Sequence, residues 1–378
     1  MTERKYAYFL CSIPGIGGVR AGRLLERFGT PQAVYEAGRD GWAECVSESL
    51  VAAMEQQKQS GEWERQYEQM TEKEIHFLLW EDPGFPQRLA EIPDAPYGIF
   101  YRGKLPEEAR PAVAVIGARE CSEYGRYVAE ELGRYLGRMG IQVISGMARG
   151  IDGISQQAAL SAGGTSYGVL GCGVDICYPV QNRKLYENLL QKGGLLSTYM
   201  PGTNPLPQYF PPRNRIVSGL SDALIVIEAR QKSGTLITVD MALEQGKDVY
   251  VVPGRITDRL SDGCNRLLTQ GAGVFLSPES FAEEFLGAWE EKQGISLTKS
   301  GEKTRRDRKP EKKSLKDSLD KIWGILEPVP KNSETILREL WEKGELLDIA
   351  ALNRGLMELE LLGYARQNSP GYFSTSAN

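Results

Sequence analysis

The chain has 378 residues, 41% of them hydrophobic and 25% charged. That composition excludes wholesale disorder, a collagen-like repeat and a disulfide mini-scaffold, and the length predicts two or three domains. The formal charge of −5 is uneven: residues 110–275 hold 17 Lys and Arg against 14 Asp and Glu, so the acidic excess lies in the flanks. A mildly basic centre can hold an anion whatever the net charge, because association responds to the local field.

The six cysteines form no CxxC pair, which predicts a reducing compartment and argues against a zinc ribbon. The single histidine, His76, sits in the apolar run Glu74–Leu78 and reads as a half-buried strand residue. That setting argues against Ser-His-Asp and Cys-His catalysis, and a single histidine excludes a multi-histidine zinc site. The N-terminus lacks the long apolar stretch of a signal peptide and no run reaches membrane-spanning length. A cytoplasmic protein with no membrane association is expected.

In chain order, residues 1–70 read as a helical, polar domain. Ala21, Leu24, Leu25 and Phe28 follow the Ile13–Gly17 turn at helical spacing, and Trp63, Tyr67 and Met70 mark a further amphipathic helix. The turn is read as a packing hairpin before a duplex contact. Residues 71–109 form a Pro-rich connector, expected to be extended, irregular and packed on the core. Residues 110–288 change pattern. Apolar runs at Val113–Ile116, Ile141–Ser145, Ser166–Leu170, Leu195–Tyr199, Ala223–Ile227, Val249–Val252 and Val274–Leu276 alternate with helical segments such as Tyr124–Met139. Continuous apolar strands alternating with helices predict an α/β domain whose parallel sheet is covered on both faces. Residues 289–318 read as a charged linker. In residues 319–378 an amphipathic helix at Asp348–Leu362 ends at Gly363, and Tyr364–Arg366 and Tyr372–Ser374 flank a hairpin, which suggests a winged helix.

Ligands of open α/β sheets bind beyond the carboxyl ends of the strands. The first such loop reads Gly117-Ala118-Arg119, and the second runs from Ser145 and Gly146 through Arg149 and Gly150 to Asp152. Small residues and a helix N-terminus suit a phosphate there, while a tight turn with Asp152 as N-cap is the plainer reading. Pro211-Pro212-Arg213-Asn214-Arg215 and Glu228–Thr235, with Lys232-Ser233-Gly234, add basic loops to the same edge. Neither G-x-G-x-x-G nor a Walker A motif is present in the required order, which argues against a nicotinamide enzyme and an ATPase.

These loops, with Gly171-Cys172-Gly173-Val174-Asp175, Tyr178-Pro179, Asn182-Arg183 and Phe210–Ile216, occur in the order found in the DprA/Smf family of bacterial DNA-processing proteins, which the chain closely resembles from about Glu81 to Pro278. The resemblance implies an extended Rossmann-like core, a helix-hairpin-helix or SAM-like domain before it and a winged-helix-like domain after it. It further implies a non-catalytic protein without cofactor or metal. Such a protein binds incoming single-stranded DNA in natural transformation, loads RecA recombinase and dimerises. Carried onto matching positions, Arg119 and Lys232 are the leading pocket residues. Ser145, Gly146, Arg149 and Gly150 would cradle a phosphate, Arg213, Asn214 and Arg215 would line the rim, and Gly117, Ser233 and Gly234 complete the loops. Tyr178 and Phe210 read equally well as base-stacking or packing aromatics. The helix at Leu347–Leu362 sets Arg354 against Asp348, Glu358 and Glu360, which favours a protein contact over a DNA groove.

The core also resembles the cytokinin-activating phosphoribohydrolases, whose G-G-x-G-T-x-x-E motif ends in the working glutamate. Here Thr238 falls at that position and a hydroxyl cannot do a carboxylate's work, with Asp240 expected on another helix face. A small-nucleotide sensor using the same pocket is the third reading.

Overall fold

A computed structural model describes residues 3–293, 317–327, 330–345, 347–369 and 371–375. Among them no helix is long and apolar enough to cross a membrane.

Five helices open the chain: α1 (Glu3–Ser12), α2 (Gly18–Phe28), α3 (Pro31–Ala43), α4 (Glu48–Ser60) and α5 (Glu62–Gln69). The Ile13–Gly17 turn is closed by Ile16 N–H donating to Ile13 O at 3.1 Å. Next come β1 (His76–Leu79), the short α6 (Gln87–Ala90) and β2 (Gly98–Gly103). The connector is therefore not irregular. Its two strands pair with each other, and β2 pairs antiparallel with a strand of the main sheet, Phe100 opposite Ser197. Phe77 and Phe100 stack at 4.9 Å, and both meet the edge of Tyr8 from α1. One apolar cluster thus joins the N-terminal helices to the sheet edge. His76 lies on β1 as expected, but it is exposed rather than half-buried, with its ring stacked 4.9 Å from Tyr101.

The core continues through β3 (Ala112–Ile116), α7 (Glu123–Arg138), β4 (Gln142–Ser145), α8 (Ile151–Ser161) and β5 (Ser166–Val169). It runs on through α9 (Arg183–Lys192), β6 (Gly194–Ser197), α10 (Phe210–Gly219), β7 (Ala223–Val226), α11 (Gly234–Glu244) and β8 (Asp248–Val251). It closes with α12 (Asp262–Thr269), β9 (Gly273–Val274) and α13 (Pro278–Gln293). The sheet order is β1-β2-β6-β5-β4-β3-β7-β8-β9, parallel from β6 to β9. All seven apolar runs read from the sequence are strands.

Alternate residues of each strand face opposite ways, so Ala112, Ala114 and Ile116 of β3 meet α6, α10, α11 and α12. Val113 and Val115 meet α7, α8 and α13 on the other face. Ser122 caps α7 by accepting from Gly125 N–H at 3.1 Å. Gly133 lets α7 lie directly on α8, since a side chain there would fall 2.3 Å from Ser155 O.

The connector is tied to the core by charge as well. Arg88 is 7% exposed and donates to both carboxylate oxygens of Asp222 at 2.8 and 3.0 Å, while Asp222 also accepts from Ala112 N–H at 2.9 Å. Asp222→Ala takes the bidentate carboxylate from a buried guanidinium, which keeps Glu108 and Arg110 O, and strands the first amide of β3. It should cost about 3 kcal/mol and lower the melting temperature by about 6–12 °C in a thermal melt.

The C-terminal unit comprises α14 (Asp317–Trp323), β10 (Lys331–Asn332), α15 (Ser333–Glu342), α16 (Ile349–Leu361), β11 (Ala365–Ser369) and β12 (Tyr372–Thr375). Its sheet order is β10-β12-β11, over a core of Ile322, Ile336, Leu340, Leu352, Leu356 and Phe373. Asn332 and Asp348 cap α15 and α16 through their side chains. Arg366 reaches Glu130 of α7 at 3.1 Å, docking the unit on the core. Of the expected linker, residues 289–293 finish α13, 317 and 318 begin α14, and 294–316 lie outside the described residues.

Candidate functional site

From β3 the chain runs through β4, β5 and β6 to one side, and β7, β8 and β9 build the other side. The strand order therefore reverses between β3 and β7, and the loops there part to leave a crevice. A cleft of about 550 Å³ fills that crevice, lined by Gly117, Arg119, Gly146, Phe210, Arg213, Asn214, Arg230, Ser233, Gly234 and Thr235 among others. A narrow side pocket leads from it to Arg149, past Tyr178 and Phe210.

In the loop after β4, two residues of the expected phosphate cradle are engaged within the protein. Ser145 is fully buried and its hydroxyl donates to Val115 O at 2.6 Å. Gly146 N–H donates to the Asp152 carboxylate at 3.1 Å, and Met147 N–H to Gln156 Oε1 at 3.1 Å. The amides of Gly146 and Met147 are thus already satisfied by side chains of α8. Gly150, not Asp152, is the N-cap, and its φ of 73° turns the chain into the helix. A side chain at Gly150 would meet Ala118 O at 2.2 Å, so this glycine serves the contact between two loops. Burial raises the Asp152 carboxyl above its ordinary value, with the Arg213 guanidinium acting against that rise.

The first turn of α11 offers what the α8 turn lacks. Its N-cap, Ser233, makes no capping bond, and the Ser233 hydroxyl is buried without a partner. In this first turn Leu236 N–H donates to Ser233 O at 3.1 Å, while Gly234 has open space around it. Open amides and the positive helix end are features that suit an anion.

The Arg213-Asn214-Arg215 triplet divides. α10 turns successive residues by about 100°, so Arg213 points into the protein and Arg215 points away from the cleft. Arg213 is 5% exposed and donates to Gly146 O at 2.6 Å, to Val169 O and to Asn214 Oδ1 at 3.1 Å. Burial lowers its pKa from the ordinary arginine value, and Arg119 pushes the same way. Arg213 is the cleft's floor. Arg215 is not part of the rim: it donates to Pro93 O at 3.0 and 2.9 Å and pairs with Glu244 at 3.1 Å, binding the connector to α11.

Four exposed cations remain at the mouth: Arg119, Arg149, Arg230 and Lys232, none in an ion pair among the described residues. Arg119 lies 5.6 Å above the Phe210 ring, Arg213 lies 5.6 Å from the same ring, and Tyr178 tilts against it at 5.7 Å. Phe210 thus packs between two guanidiniums, while Tyr178 is 40% exposed. Lys232 does not line the cleft. It stands exposed at the mouth, between the lining residues Arg230 and Ser233. Arg230 was not among the expected site residues. Its signal is positional, because it leaves β7 much as Arg119 leaves β3, and the two strands are neighbours.

Thr238 lines the cleft and is buried, whereas Asp240 is exposed and outside it. The lining carboxylates are Glu120 and the internally bonded Asp152. Among the described residues no group of three or more His, Cys, Asp or Glu could hold a metal ion.

The profile of DNA recombination-mediator protein A matches residues 76–286. DNA processing protein DprA of Streptococcus pneumoniae is 42% identical over 204 residues, which is 54% of this chain and 72% of that one. Protein Smf of a Synechocystis strain is 29% identical over 98% of both chains. The crystal structure of the Streptococcus pneumoniae protein superposes with a TM-score of 0.65 at 32% identity, covering 75% of this chain and 98% of its own. DNA processing protein A of Helicobacter pylori, described for its single-stranded DNA binding mode, gives 0.51 at 29% identity, covering 57% of this chain and 96% of its own.

Proposed function

The chain belongs to the DNA recombination-mediator protein A family, and from that premise we propose that it binds single-stranded DNA in the cleft between β3 and β7 and hands the strand to RecA recombinase. The observation that carries this reading is the ring of Arg119, Arg149, Arg230 and Lys232 around one cleft, without carboxylate partners among the described residues. Such a ring grips a phosphate backbone irrespective of sequence, and exposed aromatic faces suit unpaired bases. Tyr178, at the rim of this cleft, is the stacking residue of the proposal. The first turn of α11, with Ser233 and Gly234, takes a backbone phosphate. The Streptococcus pneumoniae relative, a DNA processing protein, and the structural similarity to the Helicobacter pylori protein, described for its single-stranded DNA binding mode, support the single-strand reading.

The proposed protein acts without catalysis, as a homodimer, with a helix-hairpin-helix or SAM-like N-terminal unit and a winged-helix-like C-terminal unit. The phosphoribohydrolase reading is the weaker one, because Thr238 occupies the glutamate's position and Asp152 is already bonded inside the loop.

The test is RecA filament nucleation on single strands coated with single-strand-binding protein, followed by RecA ATP hydrolysis. The full chain should shorten the nucleation lag several-fold. An unchanged lag from a chain that binds the strand would overturn the mediator role. Nucleoside monophosphates incubated with the protein should release no free base, and release would restore the hydrolase.

A further inference from the structure

A second cleft, of about 670 Å³, lies between the core and the C-terminal unit. We infer that it is a further nucleotide site, which continues the strand's path past β7 and makes the C-terminal unit one wall of the DNA track; the inference rests on the single-strand reading of the first cleft.

The two clefts share their walls. The loop from β3 to α7 places Glu120 in the first and Ser122 in the second. The loop from β8 to α12 places Leu260 in the first and Asp258 and Ser261 in the second. A strand leaving the first cleft along these loops enters the second directly.

The chemistry of the second cleft suits a base and its phosphate. Tyr124 stands on the core side, its hydroxyl donating to Pro253 O at 3.3 Å, and Pro330 and Tyr372 form the opposite wall. Tyr372 is 44% exposed. Arg255 sits at the mouth, exposed and without an ion pair among the described residues. The acids of the cleft are engaged within the protein. Glu123 pairs with Arg126 at 3.7 Å, and Asp258 accepts from Leu260 N–H at 3.0 Å. Beneath the cleft, Glu228 accepts from the Ser122 amide at 2.9 Å and from its hydroxyl. Beside the exposed Glu123, what faces outward is two aromatic rings, two prolines and the Arg255 guanidinium, which has no ion pair among the described residues. Aromatic faces with a nearby arginine form the sequence-tolerant means of holding unpaired nucleotides, and the volume lies in the range of ligand clefts.

The experiment compares binding of the full chain to labelled oligothymidylates of about 6 and about 15 nucleotides, lengths that bracket one short and one extended site. Arg255→Ala/Tyr372→Ala alters two exposed side chains and leaves the fold's core untouched. It should weaken the longer strand about tenfold and leave the shorter one unchanged, while Tyr372→Phe, which keeps the ring, behaves as wild type. Equal affinity of the double variant and wild type for the longer strand, or an equal loss at both lengths, would overturn the second site while leaving the first intact. A wild-type chain that binds neither length would instead sink the groove itself, and the extension with it.

Discussion

Replacing Arg119 and Lys232 together by alanine is expected to lower affinity for a single strand about 100-fold, because each charged contact to a phosphate is worth roughly a factor of ten. Both side chains are exposed and outside any ion pair among the described residues, so the fold gives up only the contact of Arg119 with the Phe210 ring. The salt dependence should change with the affinity. Each phosphate deprived of its cation reduces the slope of log K against log salt by about 0.7 on single strands, so two reduce it by about 1.4. A fall in affinity without that change in slope would place the effect on something other than phosphate. Adding Arg230→Ala should weaken binding further, since Arg230 lines the cleft beside the first turn of α11. Fluorescence anisotropy of the purified variants reads all three quantities.

Arg213→Ala should act on the fold rather than on the ligand alone. The guanidinium bridges Gly146 O after β4 and Val169 O at the end of β5, and it offsets the buried charge of Asp152. Removing it takes the guanidinium donor from two carbonyls and the neighbouring positive charge from a buried carboxylate, which keeps its hydrogen bond from the Gly146 amide. The expected cost is about 3–5 kcal/mol, or about 10 °C or more in melting temperature. Differential scanning calorimetry reads it, and a variant melting within about 2 °C of wild type would refute the bridging role. Arg119→Ala, by contrast, should leave the melt unchanged. The two arginines flank one phenylalanine ring and still answer to different assays.

The strands β3 to β7 are legible in the sequence because they are buried throughout, so their apolar runs are continuous and bounded by turns, while the more exposed β8 and β9 still carry short apolar runs. β1 and β2 are harder to see. They are short and set among prolines, and β6, the strand that ties β2 to the main sheet, is about a hundred residues away, so nothing local reveals that antiparallel pairing. The loops of the site are legible as glycine-rich and basic, but how their bonds are distributed is not. Sequence cannot show that Asp152 and Gln156 fold back onto the amides of Gly146 and Met147, which fills the α8 turn and leaves the α11 turn open. Nor does Arg213-Asn214-Arg215 disclose that its two arginines end in the floor and in a brace to Pro93, because that depends on where α10 settles against the sheet. Arg230 is visible in the loop after β7, and only the pairing of β7 with β3 sets it opposite Arg119.

On the proposed reading, the cleft between β3 and β7 holds a single strand by its phosphates. An anisotropy titration of the full chain with a labelled single strand across a salt series, with unlabelled duplex of equal length as competitor, decides the matter. Binding should weaken linearly in log salt and resist duplex competition. Binding that is insensitive to salt, or that duplex displaces as readily as single strand does, would rule the reading out.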